Sequence, residues 1–108
     1  MRTYRLKDVA AVIRSKNSGP FELTFDIIFQ DEEFFAKVVD QSIFTEETFS
    51  HLFKLRISDV ISVIHFDPAR AIKVTIIRPL PSGSIGERDV YGAQQHGPLM
   101  DFSFSLEN

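Results

Sequence analysis

The most constraining feature of the sequence is a strict alternation of apolar and polar residues that begins at position 21. The apolar series occupies one face of an extended chain and comprises Phe21, Leu23, Phe25, Ile27 and Phe29. The polar series occupies the other face and comprises Glu22, Thr24 and Asp26. Because successive side chains of a β-strand point to opposite faces, this pattern predicts a strand with one buried face and one polar face.

Two short helices are predicted after this strand. The acidic run from Asp31 to Glu33 suits the start of the first helix, because the helix dipole favours negative charge there. An apolar stripe follows it and consists of Phe34, Phe35, Val38 and Val39. Thr45 has the side chain of an N-cap for the second helix, which buries one side through Phe49, Leu52 and Phe53.

A β-hairpin is predicted next. The segment from Ile57 to Phe66 is rich in β-branched and apolar residues, and a further strand is predicted from Ala71 to Arg78. The intervening Asp67-Pro68-Ala69-Arg70 has Pro at the second position of a turn. So short a turn predicts antiparallel pairing, whereas the two-helix connection before it is long enough for a crossover. The second strand would direct Ile72, Val74 and Ile76 towards the core.

The two ends of the chain complete the predicted fold. Helical spacing is shared by Leu6, Val9, Ala10 and Ile13, and the helix that it predicts should end in the turn-rich segment from Asn17 to Pro20. A last strand is predicted from the alternation of Met100, Phe102, Phe104 and Leu106 with polar residues. These elements predict one α+β domain over residues 1–108, in which an approximately four-stranded mixed or antiparallel sheet packs with two to three helices. A ferredoxin-like two-layer sandwich fits this set.

Composition argues against several classes of function. A formal net charge of -3 argues against a nucleic-acid partner, because phosphate binding needs a basic face. The absence of Cys excludes a disulfide, a thiolate metal ligand and a thiol nucleophile. No apolar stretch approaches the roughly 20 residues of a membrane span, and the first eight residues lack the apolar region of a signal peptide. We therefore expect a cytoplasmic protein that does not bind membranes.

The first candidate site is the segment Arg14-Ser15-Lys16-Asn17-Ser18-Gly19-Pro20, predicted at the exit of the first helix. One interpretation is an ordinary helix C-terminus, since basic side chains there offset the helix dipole. The other is a carboxylate or phosphate site, with Arg14 as a bidentate clamp and Asn17 orienting the ligand.

The second candidate is the polar face of the predicted sheet. Asp26 lies on one strand, and Lys73 and Thr75 share a face of another, so Asp26 and Lys73 meet if these strands are neighbours. A solvated ion pair is the ordinary interpretation. If a loop or partner covers the face, the carboxylate or the amine becomes a candidate acid or base.

The third candidate is the glycine-rich stretch from Pro79 to Pro98, which shows no periodicity and contains Tyr91, Gln94, Gln95 and His96. Loops of this length in a small domain are either functional or simply solvated. In the functional interpretation, His96 is a general base and the glutamines orient a carbonyl group or a water. The histidines are isolated in sequence, so no metal site is predicted. The cofactor, if one exists, is unknown.

Four stretches of the chain resemble a known family. They are Ile13-Arg14-Ser15-Lys16-Asn17-Ser18-Gly19-Pro20-Phe21-Glu22-Leu23-Thr24, Phe66-Asp67-Pro68-Ala69, Ala71-Ile72-Lys73-Val74-Thr75 and Asp89-Val90-Tyr91-Gly92-Ala93-Gln94-Gln95-His96. The family is a small bacterial domain of unknown function that accompanies AtuA-like (acyclic terpene utilisation) proteins, as a neighbouring gene or a fusion. Such partners are associated with catabolism of carboxylates or acyl-CoA compounds.

The resemblance implies a set of functional residues. They are Arg14, Ser15, Lys16, Asn17, Asp26, Lys73, Thr75, Arg78, Tyr91, Gln94, Gln95 and His96. Two positions depart from the family pattern: Ile77 replaces the usual Pro before Arg78, and Gly97 replaces a common Ala after His96. The first departure puts the direction of the Arg78 side chain in question.

Three functional hypotheses follow. The leading one is a small subunit of a homo- or hetero-oligomer with an AtuA-like protein, to which it contributes polar residues for a carboxylate or acyl-CoA ligand. The second is a self-sufficient lyase or isomerase on a small carboxylate, in which Arg14 and Lys16 bind the substrate while His96, Asp26 or Lys73 moves protons. The third is a structural oligomerisation module.

Overall fold

A computed structural model of the chain describes residues 1–77 and 97–107. Its strands are β1 (Arg2–Arg5), β2 (Ala10–Gly19), β3 (Glu22–Phe29), β4 (Val60–Phe66), β5 (Ala71–Ile77) and β6 (Ser103–Leu106). Its helices are α1 (Leu6–Val9), α2 (Glu32–Asp40), α3 (Glu46–Leu52) and α4 (Gly97–Met100), with single 3-10 turns at Ile57–Asp59 and Asp67–Ala69. Among these residues, no helix is both long and apolar enough to span a membrane.

Part of the predicted site lies outside the described residues. This part comprises Arg78, Tyr91, Gln94, Gln95 and His96, together with the predicted loop from Pro79 as far as residue 96. The last two residues of that predicted loop, Gly97 and Pro98, instead begin helix α4.

The strands form a four-stranded sheet of order β2-β3-β5-β4 and a two-stranded sheet of β1 and β6. All neighbouring strands are antiparallel. Because β3 and β4 both run antiparallel to β5, they are parallel to each other, and α2 and α3 form the crossover between them. The α+β class and the β4–β5 hairpin are confirmed. A ferredoxin-like sandwich has helices in two separate β-strand connections, whereas here both helices of the large sheet lie in one.

Both predicted helices begin at the predicted residues. The side chain of Asp31 accepts a hydrogen bond from the backbone N–H of Phe34 at 2.8 Å. The hydroxyl oxygen of Thr45 accepts one from the N–H of Thr48 at 3.2 Å. Each cap satisfies an N–H group that the first turn of a helix leaves without a partner.

One face of the four-stranded sheet packs against the helices through phenylalanine rings. Phe25 stacks on Phe53 with ring centroids 4.6 Å apart, and Phe29 packs on Phe35 at 5.7 Å. Phe44 contacts rings of α3 and of the C-terminal strand region, so both sheets share one apolar cluster. The inner face of β3 is fully covered, as the alternation predicts, although Phe21 lies before the strand and is 57% exposed.

Two predictions about the termini are wrong. Only Leu6–Val9 is helical, and Ala10–Gly19 forms β2. The pairing of β2 with β3 along nearly its whole length supplies backbone hydrogen bonds and burial that outweigh a local helical pattern. Similarly, the last strand begins at Ser103, because Met100 belongs to α4, and its partner is β1, which the sequence pattern did not predict.

Candidate binding site on the outer sheet face

The face of the four-stranded sheet opposite the helices, here called the outer face, carries a row of charged residues. Directly paired residues in an antiparallel sheet project to the same face. Asp26 of β3 pairs with Arg14 of β2 on one side and with Lys73 of β5 on the other. Ile64 of β4 pairs with Lys73 and ends the row. The strands of Asp26 and Lys73 are therefore neighbours, which is the condition under which the sequence analysis expected these residues to meet.

Two further rows flank the charged row. The first is polar and consists of Lys16, Thr24, Thr75 and Ser62. Its two threonine hydroxyl groups are 3.2 Å apart and form a hydrogen bond. The second row is apolar and consists of Val12, Ile28, Ala71 and Phe66. The outer face thus changes from polar to apolar along the direction of the strands.

Asp26 forms an ion pair with Arg14 at the centre of this face. The Nε–H group of Arg14 donates a hydrogen bond to Oδ2 of Asp26 at 3.0 Å. The side chain of Asp26 is only 8% exposed, whereas that of Arg14 is 63% exposed. The carboxylate is thus largely buried, and it holds the guanidinium group of Arg14 at its Nε atom. The terminal guanidinium nitrogens form no hydrogen bond to any described residue.

A pocket of about 390 Å³ lies over these rows. Its lining consists of Arg14, Lys16, Asp26, Ile28, Ile64, Phe66, Ala69, Ala71 and Lys73. Three cations and one carboxylate give the lining an excess of two positive charges, although the whole chain has a net charge of -3. The pocket is therefore a cationic site on an acidic protein.

The pocket has a charged half and an apolar half. Arg14, Lys16 and Lys73 provide N–H donors, which bind carboxylate or phosphate oxygens. On the β4 side, Ile64 and Phe66 leave 51% and 55% of their surfaces exposed. A ligand with an anionic head and an apolar body matches both halves.

The outer-face site lies in a part of the chain that matches a known sequence family. Residues 6–103 match the model of a family described as a domain of unknown function, DUF4387. The chain belongs to this family. No curated protein and no solved structure matches it. The matched residues include every described side chain of the outer-face site, and an association with AtuA-like proteins stays a prediction.

In this DUF4387 domain, the first predicted site is divided between the two faces of the sheet. Ser15 pairs with Phe25 and Asn17 pairs with Leu23, so both project to the inner face. Ser15 is 8% exposed there. The segment from Arg14 is a strand and not a helix exit, and strand alternation separates Ser15 and Asn17 from the cations. Asn17 and Lys73 therefore lie on opposite faces of the sheet.

Sequence reasoning missed the apolar half of the site in this DUF4387 domain. Ile64 and Phe66 alternate with the half-buried Val63 and the exposed His65. This period of two places Ile64 and Phe66 on one face, and their part in the site becomes recognisable once β4 is known to be the edge strand beside β5. The two-residue spacing of Arg14 and Lys16 carried the corresponding signal for β2. Among residues 1–77 and 97–107, no group of three or more His, Asp or Glu side chains is arranged to bind a metal ion.

Proposed function

We propose that the chain is an accessory domain that binds the anionic head of a small amphiphilic ligand on its outer sheet face, where a larger AtuA-like protein closes the site. The observation that supports this proposal is the excess of cations beside an exposed apolar surface in one pocket. A carboxylate with an aliphatic body has matching chemistry, and so does an acyl-CoA through its phosphates and acyl chain.

Arg14, Lys73 and Asp26 have distinct roles in this proposal. The ion pair with Asp26 restrains Arg14 at Nε and leaves its terminal N–H groups to bind one ligand oxygen pair. Lys73, which lies on the other side of Asp26, supplies a second charge. The Asp26 carboxylate reduces repulsion between the two cations in the absence of ligand. It also lowers the affinity of the empty pocket for small inorganic anions.

A partner is proposed because the site is open. Small-molecule sites in proteins bury roughly 70–90% of the ligand surface. A sheet face covers a ligand from one side only, and about half of the surfaces of Ile64 and Phe66 is exposed to water here. A second protein surface placed over the outer face would bury these side chains together with the ligand body. The resemblance of the chain favours an AtuA-like protein as that partner.

Co-expression with an AtuA-like protein tests the proposal. We expect the two proteins to co-purify, and we expect Lys73→Glu to weaken the ligand-dependent activity of the complex by at least about tenfold, because it reverses a charge at the ligand head. Lys37→Glu on α2 is the matched control and should leave activity unchanged, since Lys37 lies outside the pocket lining. Failure to co-purify, or equal effects of the two variants, would contradict the proposal.

The second candidate is a self-sufficient lyase or isomerase on a small carboxylate. It is favoured by one observation, the direct cross-strand pairing of a nearly buried carboxylate with a lysine, Asp26 with Lys73, because two such groups can exchange a proton with a bound substrate. This candidate requires turnover by the isolated chain. Asp26→Asn should then abolish turnover, whereas an accessory domain has no activity to lose without its partner.

A further inference from the structure

The two edge strands of the four-stranded sheet differ in their protection against pairing with a further strand. Edge strands carry backbone N–H and C=O groups without a sheet neighbour, and proteins protect them with charged residues, Pro or bulges. The β2 edge carries Arg14 and Lys16 and has register shifts near both of its ends. The β4 edge, of sequence VISVIHF, contains no Asp, Glu, Lys, Arg or Pro. Its single register shift lies at its start, so Ser62 to Phe66 form a regular edge.

Large apolar side chains accompany the unprotected edge. Ile61, Ile64 and Phe66 are 49%, 51% and 55% exposed. Ile64 and Phe66 lie on the outer face, where they form the rim of the pocket. Within the part of the chain that the structure describes, no strand pairs with β4 on its far side. As far as the described residues show, backbone groups without a sheet neighbour and exposed apolar surface therefore coincide on one strand.

We propose that two copies of the chain pair through β4 about a two-fold axis and form one continuous eight-stranded sheet. A strand that meets its own copy across such an axis pairs antiparallel, as every neighbouring pair in this sheet already does. Self-pairing of β4 places no two like charges opposite each other, because the strand contains none of the four charged residue types.

A second copy also extends the outer face beyond β4. The two-fold axis of an antiparallel pair is perpendicular to the sheet, so the outer faces of both copies lie on the same side. Pairing centred on Val63 sets Ser62 of one copy opposite Ile64 of the other. The apolar halves of the two pockets then adjoin across the β4 pair, and each copy covers exposed apolar surface of its partner. This assembly does not depend on the ligand or on an AtuA-like protein.

The absence of cysteine in the chain allows a direct test with single-cysteine variants. Neighbouring strands are about 4.8 Å apart, so β4 lies one strand spacing from its copy while the two β2 strands are seven spacings, or about 34 Å, apart. Ser62→Cys should form an intermolecular cross-link with a short bis-maleimide reagent. Val12→Cys, on the outer face of β2, is the matched control and should not. Efficient cross-linking of the β2 variant alone would overturn the proposal.

Mass measurement by light scattering gives the second readout. We expect the unmodified chain to have twice its 12.3 kDa chain mass. Ile64→Lys should raise the dimer dissociation constant by at least about tenfold, with unchanged circular dichroism because the side chain is half exposed. Val12→Lys should leave the dimer intact. The proposal would be overturned if the unmodified chain were monomeric at about 100 μM. This outcome includes the case in which β4 pairs only with a strand of another protein.

Discussion

The two faces of strand β3 are both buried, but by different kinds of side chain. On the inner face, Phe25 and Ile27 are fully buried among aromatic and aliphatic groups of the helices. On the outer face, Thr24 and Asp26 are 6% exposed, although no helix in residues 1–77 and 97–107 packs on that face. Among the described residues, Asp26 forms an ion pair with Arg14 of β2, and the hydroxyl group of Thr24 forms a hydrogen bond with that of Thr75 of β5.

This difference separates stability from binding within one strand. Close-packed aromatic side chains have few alternative arrangements, so a change on the inner face leaves a cavity. Lys16 and Lys73 are exposed side chains with many rotamers, so they can rearrange around a ligand at little cost to the fold. We therefore expect inner-face substitutions to change the free energy of unfolding and outer-face substitutions to change ligand affinity.

The largest expected effect is that of Phe25→Ala. Loss of a fully buried ring that stacks on Phe53 should lower the free energy of unfolding by about 3–5 kcal/mol. Denaturant titration followed by circular dichroism measures this change. A loss below about 1 kcal/mol would remove the distinction between the two faces.

The next effect is that of Asp26→Asn, which should lower the free energy of unfolding by only about 1 kcal/mol. The ion pair is lost, but Arg14 is largely exposed and screened by water. At the same time the pocket loses its one carboxylate, so affinity for an anionic ligand should increase. Unfolding and binding titrations of the same variant check that the free energy of unfolding falls and that anion affinity rises. Weaker anion binding by this variant would contradict the proposed role of the pocket.

The smallest effect on stability is expected for Lys73→Ala. Its side chain is exposed, so the free energy of unfolding should change by less than about 0.5 kcal/mol. Binding of an anionic ligand should nevertheless weaken by at least about tenfold, because one charge at the ligand head is removed. Isothermal titration calorimetry of this variant beside Lys37→Ala separates a local effect from a change in overall charge.

The sequence predicted the elements whose signals are local. The alternation in β3, the acidic helix start at Asp31, the cap at Thr45 and the turn from Asp67 all depend on residues close together in the chain, and the structure contains each of them. Strand β2 has only a weak local signal, the two-residue spacing of Arg14 and Lys16. Its first residues fit a helical period, and only pairing with β3, which is a tertiary interaction, makes them a strand.

The candidate site shows the same division. The two alternating segments placed Asp26 and Lys73 on polar strand faces, but their pairing depended on the two strands being neighbours, which the sequence left open. Strand β2, which was not predicted, places Arg14 in that row and Ser15 on the inner face. The apolar half of the pocket depends on β4 being an outer strand, and strand order is not encoded in local spacing.

The most direct test of the central claim, that the outer face binds an amphiphilic anion, is NMR titration of the isotope-labelled chain with octanoate. We predict saturable shifts of the backbone amides of Lys73, Ile64 and Phe66, with roughly millimolar affinity for the open site. Acetate lacks the apolar body and 1-octanol lacks the charge, so both should bind more weakly. Equal shifts with all three compounds, or octanoate shifts confined to residues outside the outer face, would contradict the claim.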